Sequence, residues 1–314
     1  MKSDISIIIP FFNENDNLVK LVEELNKYIS TLKGLSIQIL FVDDGSTDNS
    51  FKTISKLKHK YYFAKIIKLS RNFGSHAALR AGVLHADGRF ITFMPADRQN
   101  PIDLNLRLYH KAKEGYDIVW AERGKVEIGL IEKIFSRLYA QLMRKFVISN
   151  FPEKGFDIVM FNQRVRDELN RNIEANSSLF LQIQMMGFKQ SVISYHKQTR
   201  AIGKSKWTVA KKVKLFIDSF VAFSYAPIRL VSIMGILFSA AGFLWMIYVA
   251  ARTLLYHNLA PGWPALLAIL MIGFGITNIS LGIIAEYLWR TLDATRNRSV
   301  FIVDEIIDLK GQHG

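Results

Sequence analysis

Short apolar runs alternate with amphipathic stretches along about the first 120 residues of the chain. The runs are rich in isoleucine, valine and phenylalanine, which favour strands, and they lie at residues 5–9, 37–42, 65–69, 89–93 and 117–121. The stretches between them carry apolar residues at helical spacing, as at Leu18, Leu21, Val22 and Leu25 and again from Ala77 to Leu84. This alternation predicts a Rossmann-like α/β domain in which helices cover both faces of a mostly parallel sheet.

Polar residues collect where each of these predicted strands ends. The segments read FFNEN (11–15), DDGSTD (43–48), SRNFG (70–74), PADRQ (95–99) and ERG (122–124). A single segment of this kind is typical of a helix cap or a turn. In parallel sheets, however, ligands bind beyond the carboxyl ends of the strands. Five polar segments at one edge of the sheet therefore predict a ligand site there.

Two long uncharged segments lie in the last third of the chain, at residues 231–251 and 264–285. Each has the length of about 20 apolar residues that a membrane-spanning helix needs. The short connection RTLLYHNLAPGW predicts a transmembrane hairpin, with buried core helices as the alternative. Basic residues gather before the first segment and after the second, which predicts that both termini and the α/β domain are cytoplasmic.

A basic amphipathic segment precedes the first apolar helix. Its apolar residues follow helical spacing, while nearby lysines lie mostly off that face; the apolar set is Val209, Val213, Phe216, Phe220 and Phe223. This pattern predicts a helix in the membrane interface, with a soluble core helix as the alternative. The chain thus divides into a domain at 1–200, an interfacial segment at 201–229, a hairpin at 230–290 and a cytoplasmic tail at 291–314.

Composition narrows the function further. The chain has no cysteine, which excludes disulfides and thiolate metal sites. Its formal net charge of +14 is compatible with nucleic acid, anionic membranes or phosphorylated substrates as partners. Much of the positive charge stands beside the apolar segments, so the sequence predicts a membrane partner and no nucleic acid.

Several stretches together resemble family 2 glycosyltransferases of the GT-A fold, and more narrowly the polyprenyl-phosphate glycosyltransferases. These stretches are IIIPFFNENDNL, ILFVDDGSTDNS, KLSRNFGSHAALRAG, PADRQNP, RAIGKSKW and EYLWRTLDATRNRSVFIV. They cover nearly the whole chain in the order that the family shows. The first two mark the superfamily, whereas RAIGKSKW followed by two apolar segments and EYLWR is much more specific.

The resemblance implies a set of site residues. Residues that would bind the nucleotide are Pro10, Phe12, Glu14, Asp43, Asp44, Asn72 and Gly74. Asp97 and Gln99 would hold a divalent metal, Mg²⁺ or Mn²⁺. The family usually has a further acidic residue where this chain has Pro95, so the implied metal site has one carboxylate fewer. The catalytic set would be Asp97, Asp157 and Arg123, and the acceptor phosphate would meet Arg200, Ser205 and Lys206.

The function implied by the resemblance is inverting transfer of a sugar from a nucleotide sugar, UDP rather than GDP, to undecaprenyl phosphate. It also suggests a homotetramer in the inner or plasma membrane. One alternative is a processive polysaccharide synthase, although the sequence has no QxxRW motif and too few apolar segments for a polymer channel. The other alternative is a catalytically silent membrane scaffold, which is suggested by Pro95 in place of the usual acid. The resemblance does not specify which sugar is transferred.

Overall fold

The computed structural model describes residues 3–124, 140–145, 148, 156–173, 178–196, 226–256, 262–296 and 298–309. The chain divides into two compact units, described separately below. The first comprises Met1–Lys212 with Ser299–Gly314, and the second Val213–Arg298. The candidate acceptor residues Arg200, Ser205 and Lys206, and all of the predicted interfacial segment before residue 226, lie outside the described residues.

The first unit contains eight bounded strands and six bounded helices among its described residues. The strands are β1 (Ile5–Phe11), β2 (Ile37–Asp43), β3 (Phe63–Leu69), β4 (Phe90–Phe93), β5 (Ile118–Arg123), β6 (Phe156–Asn162), β7 (Gln190–Tyr195) and β8 (Val303–Leu309). The helices are α1 (Asn15–Ile29), α2 (Ser50–Lys56), α3 (Ser75–Leu84), α4 (Leu104–Lys113), α5 (Gln163–Arg171) and α6 (Leu179–Met185). The five strands predicted from the apolar runs are all confirmed, within a few residues at their ends.

All eight strands form one sheet, in the order β7-β5-β6-β4-β1-β2-β3-β8. Strands β4, β1, β2 and β3 pair in parallel, and β5 pairs in parallel with β7. Strand β6 runs antiparallel between β4 and β5, and β8 runs antiparallel along β3. The predicted Rossmann-like, mostly parallel sheet is therefore confirmed. The chain order reverses between β1 and β4, which is where such sheets bind ligands.

Apolar side chains are buried on both faces of the sheet, which explains why its central strands read as near-continuous apolar runs. On one face, Ile7 and Ile9 join the cluster that contains Leu18 and Leu25 of α1. On the other face, Ile8 joins a cluster with residues of α3. Gly82 in α3 permits close packing there, because a Cβ at that position would lie 2.3 Å from Ile8 Cγ2.

Residues 291–314, predicted as a tail, include the ordered strand β8. Its sequence VDEIIDL places Ile307 and Leu309 against the core while the acidic residues stay outside. The strand covers the edge of β3, which would otherwise present unpaired backbone groups. The acidic residues among VDEIIDL hid the strand from a search for apolar runs.

The second unit contains α7 (Ala226–Tyr256) and α8 (Trp263–Thr295). Within them, Val231–Arg252 and Ile269–Asp293 are long and apolar enough to cross a membrane, and neither is buried in the structure. Large apolar side chains such as Leu237 and Phe274 are 64% and 66% exposed. Exposed apolar surface of this extent is costly in water, so the two helices are suited to a lipid environment.

Candidate functional site

The predicted site residues that the structure describes in the first unit lie at one edge of the sheet. Strands β1 to β5 all point the same way, so their carboxyl ends, and the amino end of antiparallel β6, lie at that edge. Arg123 ends β5 and Asp157 is the second residue of β6, so both backbones lie there as well. The side chains of these two residues lie outside the part of the chain that the structure describes.

The loops after β1 and β2 are held together by Asn13. Its backbone adopts a left-handed conformation (φ 53°), which asparagine tolerates better than most residues. Its side-chain oxygen accepts from the Thr47 N–H at 2.9 Å, and its own N–H donates to Ser46 Oγ at 3.0 Å. The segment FFNEN contains this residue, but no local pattern indicates contacts 33 and 34 residues away.

Three predicted nucleotide residues flank Asn13 at the end of β1. Pro10 and Phe12 are half-buried near the carboxyl end of the strand. Glu14 precedes α1; its N–H donates to Ser50 Oγ at 3.0 Å and its Oε2 accepts from the Asn17 amide at 2.6 Å. The first loop is therefore fixed to the second at two points along its length.

Asp43 ends β2 with a fully buried carboxylate. Its Oδ1 accepts from the Ser46 N–H at 2.9 Å, while its buried Oδ2 has no hydrogen-bond partner among the residues that the structure describes. Burial raises the pKa of Asp43, although hydrogen bonds from Ser46 and the charge of Lys68 act in the opposite direction. Because buried polar groups are normally satisfied, this oxygen is suited to accept from an N–H or O–H of a ligand.

Asp44 holds the loop that follows β3. Its carboxylate accepts from the backbone N–H groups of Phe73 and Gly74 at 2.8 and 2.9 Å. Its own N–H donates to the Phe11 carbonyl at 2.9 Å. Burial raises the pKa of Asp44, and the two loop N–H groups oppose that rise. The residue lies beside Asp43, as the resemblance implies, and its oxygens are engaged in shaping the loop.

The loops after β2 and β3 also touch backbone to backbone. Gly45 has φ 69°, and a Cβ there would lie 2.3 Å from the Arg71 carbonyl carbon. Gly74 has φ 98° and precedes α3, so a side chain would be strained there too. Arg71 stacks on the Phe73 ring at 4.1 Å, and the side chain of Asn72 is exposed. We call residues 70–74 the donor loop.

The loop after β4 carries the two predicted metal ligands on either side of a strained residue. Arg98 is left-handed (φ 57°), and its guanidinium pairs with Glu24 of α1 through two contacts, one of them Nε to Oε2 at 3.1 Å. Asp97 Oδ1 accepts from the Gln99 N–H at 3.2 Å. Asp97 and Gln99 are both half-buried.

This loop offers few protein ligands for a metal. No group of three or more His, Cys, Asp or Glu residues is placed to share an ion among the described residues. The Asp97 carboxylate and the Gln99 amide supply only oxygen atoms, which hard cations such as Mg²⁺ prefer. Two protein oxygens fit such an ion when phosphate oxygens and waters complete its shell.

His76, in the first turn of α3, contacts β4 through Phe180 and does not belong to the predicted site. Its Nδ1 is buried and has no partner among the described residues. The imidazole meets the Phe180 ring edge-on at 6.1 Å, and Phe180 packs on Phe93 of β4 at 5.8 Å. Burial, and secondarily Arg80, lower the pKa of His76, which favours the neutral ring near pH 7.

Comparison with known proteins gives matches that span most of the chain. The sequence profile of "Glycosyl transferase family 2" matches residues 6–197. The "Uncharacterized glycosyltransferase YkcC" of Bacillus subtilis is 32% identical over 96% of this chain and 93% of its own length. The "Undecaprenyl-phosphate 4-deoxy-4-formamido-L-arabinose transferase" of Proteus mirabilis is 27% identical over 98% of this chain and 94% of its own. Among solved structures, S. aureus TarS in complex with UDP-GlcNAc aligns with a TM-score of 0.46 at 17% identity, over 66% of this chain and 62% of that one.

Proposed function

Because the chain belongs to glycosyl transferase family 2 and is a glycosyltransferase, we propose that it transfers a sugar from a UDP-sugar to undecaprenyl phosphate. The choice of undecaprenyl phosphate as the acceptor is supported by the full-length similarity to an undecaprenyl-phosphate sugar transferase. This similarity extends through both apolar helices. An acceptor embedded in the membrane requires an enzyme held at its surface, and the two helices would supply that anchor.

The buried oxygen of Asp43 supports nucleotide binding at the carboxyl edge of the sheet. An N–H of uracil or a ribose hydroxyl would satisfy Oδ2, which is buried without a partner among the described residues. The donor loop, held by Asp44 and pressed against Gly45, would close over the same nucleotide. Asn72, exposed in that loop, would contact the ribose or a phosphate.

Asp97 and Gln99 would hold Mg²⁺ or Mn²⁺ together with the donor diphosphate. The metal would supply positive charge where the departing diphosphate develops negative charge. Arg98, paired with Glu24, fixes the turn that carries both ligands. Pro95 stands where a further acid would be expected, so the substrate must contribute more of the coordination.

The acceptor phosphate needs no general base in this proposal. A phosphate monoester with a second pKa near 6 is largely dianionic at pH 7. One of its oxygens would attack the anomeric carbon, the bond from that carbon to the UDP oxygen would break, and the configuration would invert. Asp157 would orient the sugar or acceptor, Arg123 would stabilise the phosphates, and Arg200, Ser205 and Lys206 would bind the acceptor phosphate.

The scaffold alternative has a specific observation in its favour, which is Pro95 at the metal loop. The retained Asp97, Gln99 and buried Asp43 favour an active enzyme instead. A processive polysaccharide synthase is less compatible with only two apolar helices, Val231–Arg252 and Ile269–Asp293, among the described residues.

The reaction is tested by measuring UDP release from the full chain in detergent. A panel of UDP-sugars is offered with and without undecaprenyl phosphate, and with Mg²⁺, Mn²⁺ or EDTA. We expect release with one sugar that needs both lipid and metal, together with a lipid product heavier by that sugar. UDP release at the same rate with and without undecaprenyl phosphate would contradict the proposed acceptor. No release with any UDP- or GDP-sugar would favour the scaffold alternative.

A further inference from the structure

The C-terminal strand β8 reaches the donor loop directly. It pairs antiparallel with β3 from Ala64 opposite Leu309 to Leu69 opposite Val303. Just past the paired region, the Ser70 N–H donates to the Ile302 carbonyl at 3.0 Å. Ser70 is the first residue of the donor loop, so the pairing continues into the segment that carries Asn72 and Gly74.

Side chains reinforce this backbone pairing. Lys68 Nζ lies 2.8 Å from Asp304 Oδ2, and Lys65 Nζ lies 3.4 Å from Asp308 Oδ1. These exposed pairs contribute little on their own. Phe301 packs partly buried against the same apolar cluster as Phe73 of the donor loop, so the segment before β8 and the loop share one core.

The donor loop is therefore held both by a residue that precedes it in the chain and by a residue near the C-terminus. From the N-terminal side, Asp44 binds the N–H groups of Phe73 and Gly74. From the C-terminal side, Ile302 binds the N–H of Ser70. In addition, Asp304 holds Lys68, whose positive charge favours the ionised form of Asp43.

We propose that residues 299–309 form a positioning element that keeps the donor loop in its nucleotide-binding shape. This inference rests on the proposed function insofar as it places a nucleoside diphosphate at this loop. The chain that follows the second apolar helix would thus set the affinity for the donor. Residues 296–302 are the covalent link between the end of α8 and β8.

The expected size of the effect follows from the population of the competent loop. When only a fraction of molecules holds the competent shape, the apparent Kd rises by the inverse of that fraction. If release of β8 leaves the loop competent in about a tenth of molecules, UDP affinity falls about tenfold. The element acts on the loop, so KM for the donor would rise while KM for the lipid acceptor stays unchanged.

The test compares two truncations of the full chain in detergent. One lacks residues 300–314 and so loses β8, and the control lacks only residues 310–314. Binding of UDP in the presence of Mn²⁺ is measured by calorimetry, with thermal unfolding as the check on folding. We expect about tenfold weaker binding for the longer truncation only, and recovery when a synthetic peptide of residues 300–309 is added. A folded truncation that binds UDP within about twofold of the full chain would overturn the proposal.

One further measurement keeps the proposal testable when the truncation fails to fold. The double variant Asp304→Lys, Asp308→Lys sets like charges against Lys68 and Lys65. We expect faster hydrogen exchange at the amides of residues 70–74, reversed by salt that screens the repulsion. Unchanged exchange would contradict the positioning role. Absence of UDP binding by the unmodified chain would instead refute the proposed function, and the exchange rates would still test the element.

Discussion

The two halves of the carboxyl edge are built differently. On the nucleotide half, the loops after β1, β2 and β3 are joined by Asn13, Asp44 and the close approach of Gly45 to Arg71. On the metal half, the loop after β4 offers Asp97 and Gln99, and its left-handed Arg98 pairs with Glu24 of α1. On the first half, neighbouring loops hold one another through side-chain and backbone contacts, whereas on the second half the Arg98–Glu24 ion pair links the loop to a helix.

This difference suggests a division of labour between protein and substrate. Loops that are already held together would bind a nucleotide without a further entropic cost of ordering them. If Asp97 and Gln99 hold the metal as proposed, phosphate oxygens of the donor would have to complete its coordination shell. We therefore expect metal and nucleotide to bind cooperatively, and the predictions below disturb one half of the edge at a time.

The largest effect is expected from Asp97→Ala, which removes the carboxylate of the proposed metal pair Asp97 and Gln99. Loss of a group that stabilises developing charge lowers kcat by about 10²- to 10³-fold. UDP affinity without metal should stay nearly unchanged, because Asp97 does not belong to the nucleotide half. The matched control is Asp103→Ala, an acid before α4 whose side chain makes no cap hydrogen bond. Equal activity of the two variants would contradict the assignment.

Asp44→Ala should come next, with UDP affinity weakened by about tenfold. The change frees the N–H groups of Phe73 and Gly74, so the donor loop loses its competent shape. Calorimetry with UDP measures the loss, and exchange at residues 70–74 shows its origin. Asp48→Ala changes an exposed acid further along the loop that contains Asp44 and serves as the control. Full UDP affinity in Asp44→Ala would show that the loop does not need this carboxylate.

Pro95→Asp should increase the affinity of the metal half of the edge for a divalent cation. A second carboxylate increases the ligand charge, so Mn²⁺ affinity in the absence of UDP should rise by about tenfold. Pro101→Asp adds the same charge elsewhere in the loop and should have little effect. Titration with Mn²⁺ measures both variants. No gain for Pro95→Asp would mean that residue 95 does not face the metal.

Asp43→Asn should stabilise the protein while weakening nucleotide binding. Burial raises the pKa of Asp43 above 3.8, so the folded state holds its proton more tightly than the unfolded state does. Stability from this group is present below pH 3.8 and is lost as pH rises through the raised pKa. The neutral amide avoids that loss, and Tm at pH 7 should rise by a few degrees. The gain should shrink toward pH 4, and exposed Asp308→Asn should not show it; a lower Tm at pH 7 would contradict the account.

Local pattern was enough to predict the central sheet and the edge of the sheet at which these polar residues lie. Apolar runs buried on both faces stand out in any window, and parallel strands must bring the polar residues at their ends to one edge. Asp43, Asp44 and Asp97 could therefore be placed from the sequence alone. The helical spacing that begins at Leu18 likewise predicted α1, whose buried residues include that leucine.

The remaining features depend on contacts between distant segments. Strand β7 reads QSVISY, too short and polar for a search for apolar runs, and β8 pairs with β3 across more than 230 residues. Nothing near Asn13 indicates that it joins two loops, and nothing near Asp44 indicates that its carboxylate turns to the donor loop. These partners are chosen by the fold, so a local reading of the sequence cannot identify them.

The central claim is that the donor completes the metal site. It is tested most directly by measuring the Mn²⁺ affinity of the full chain with and without saturating UDP. Because coupling between two ligands is reciprocal, UDP should raise Mn²⁺ affinity by the same factor as Mn²⁺ raises UDP affinity. We predict a factor of about ten or more, with weak Mn²⁺ binding to the protein alone. Equal Mn²⁺ affinity in both conditions would contradict the claim that the donor completes the metal site.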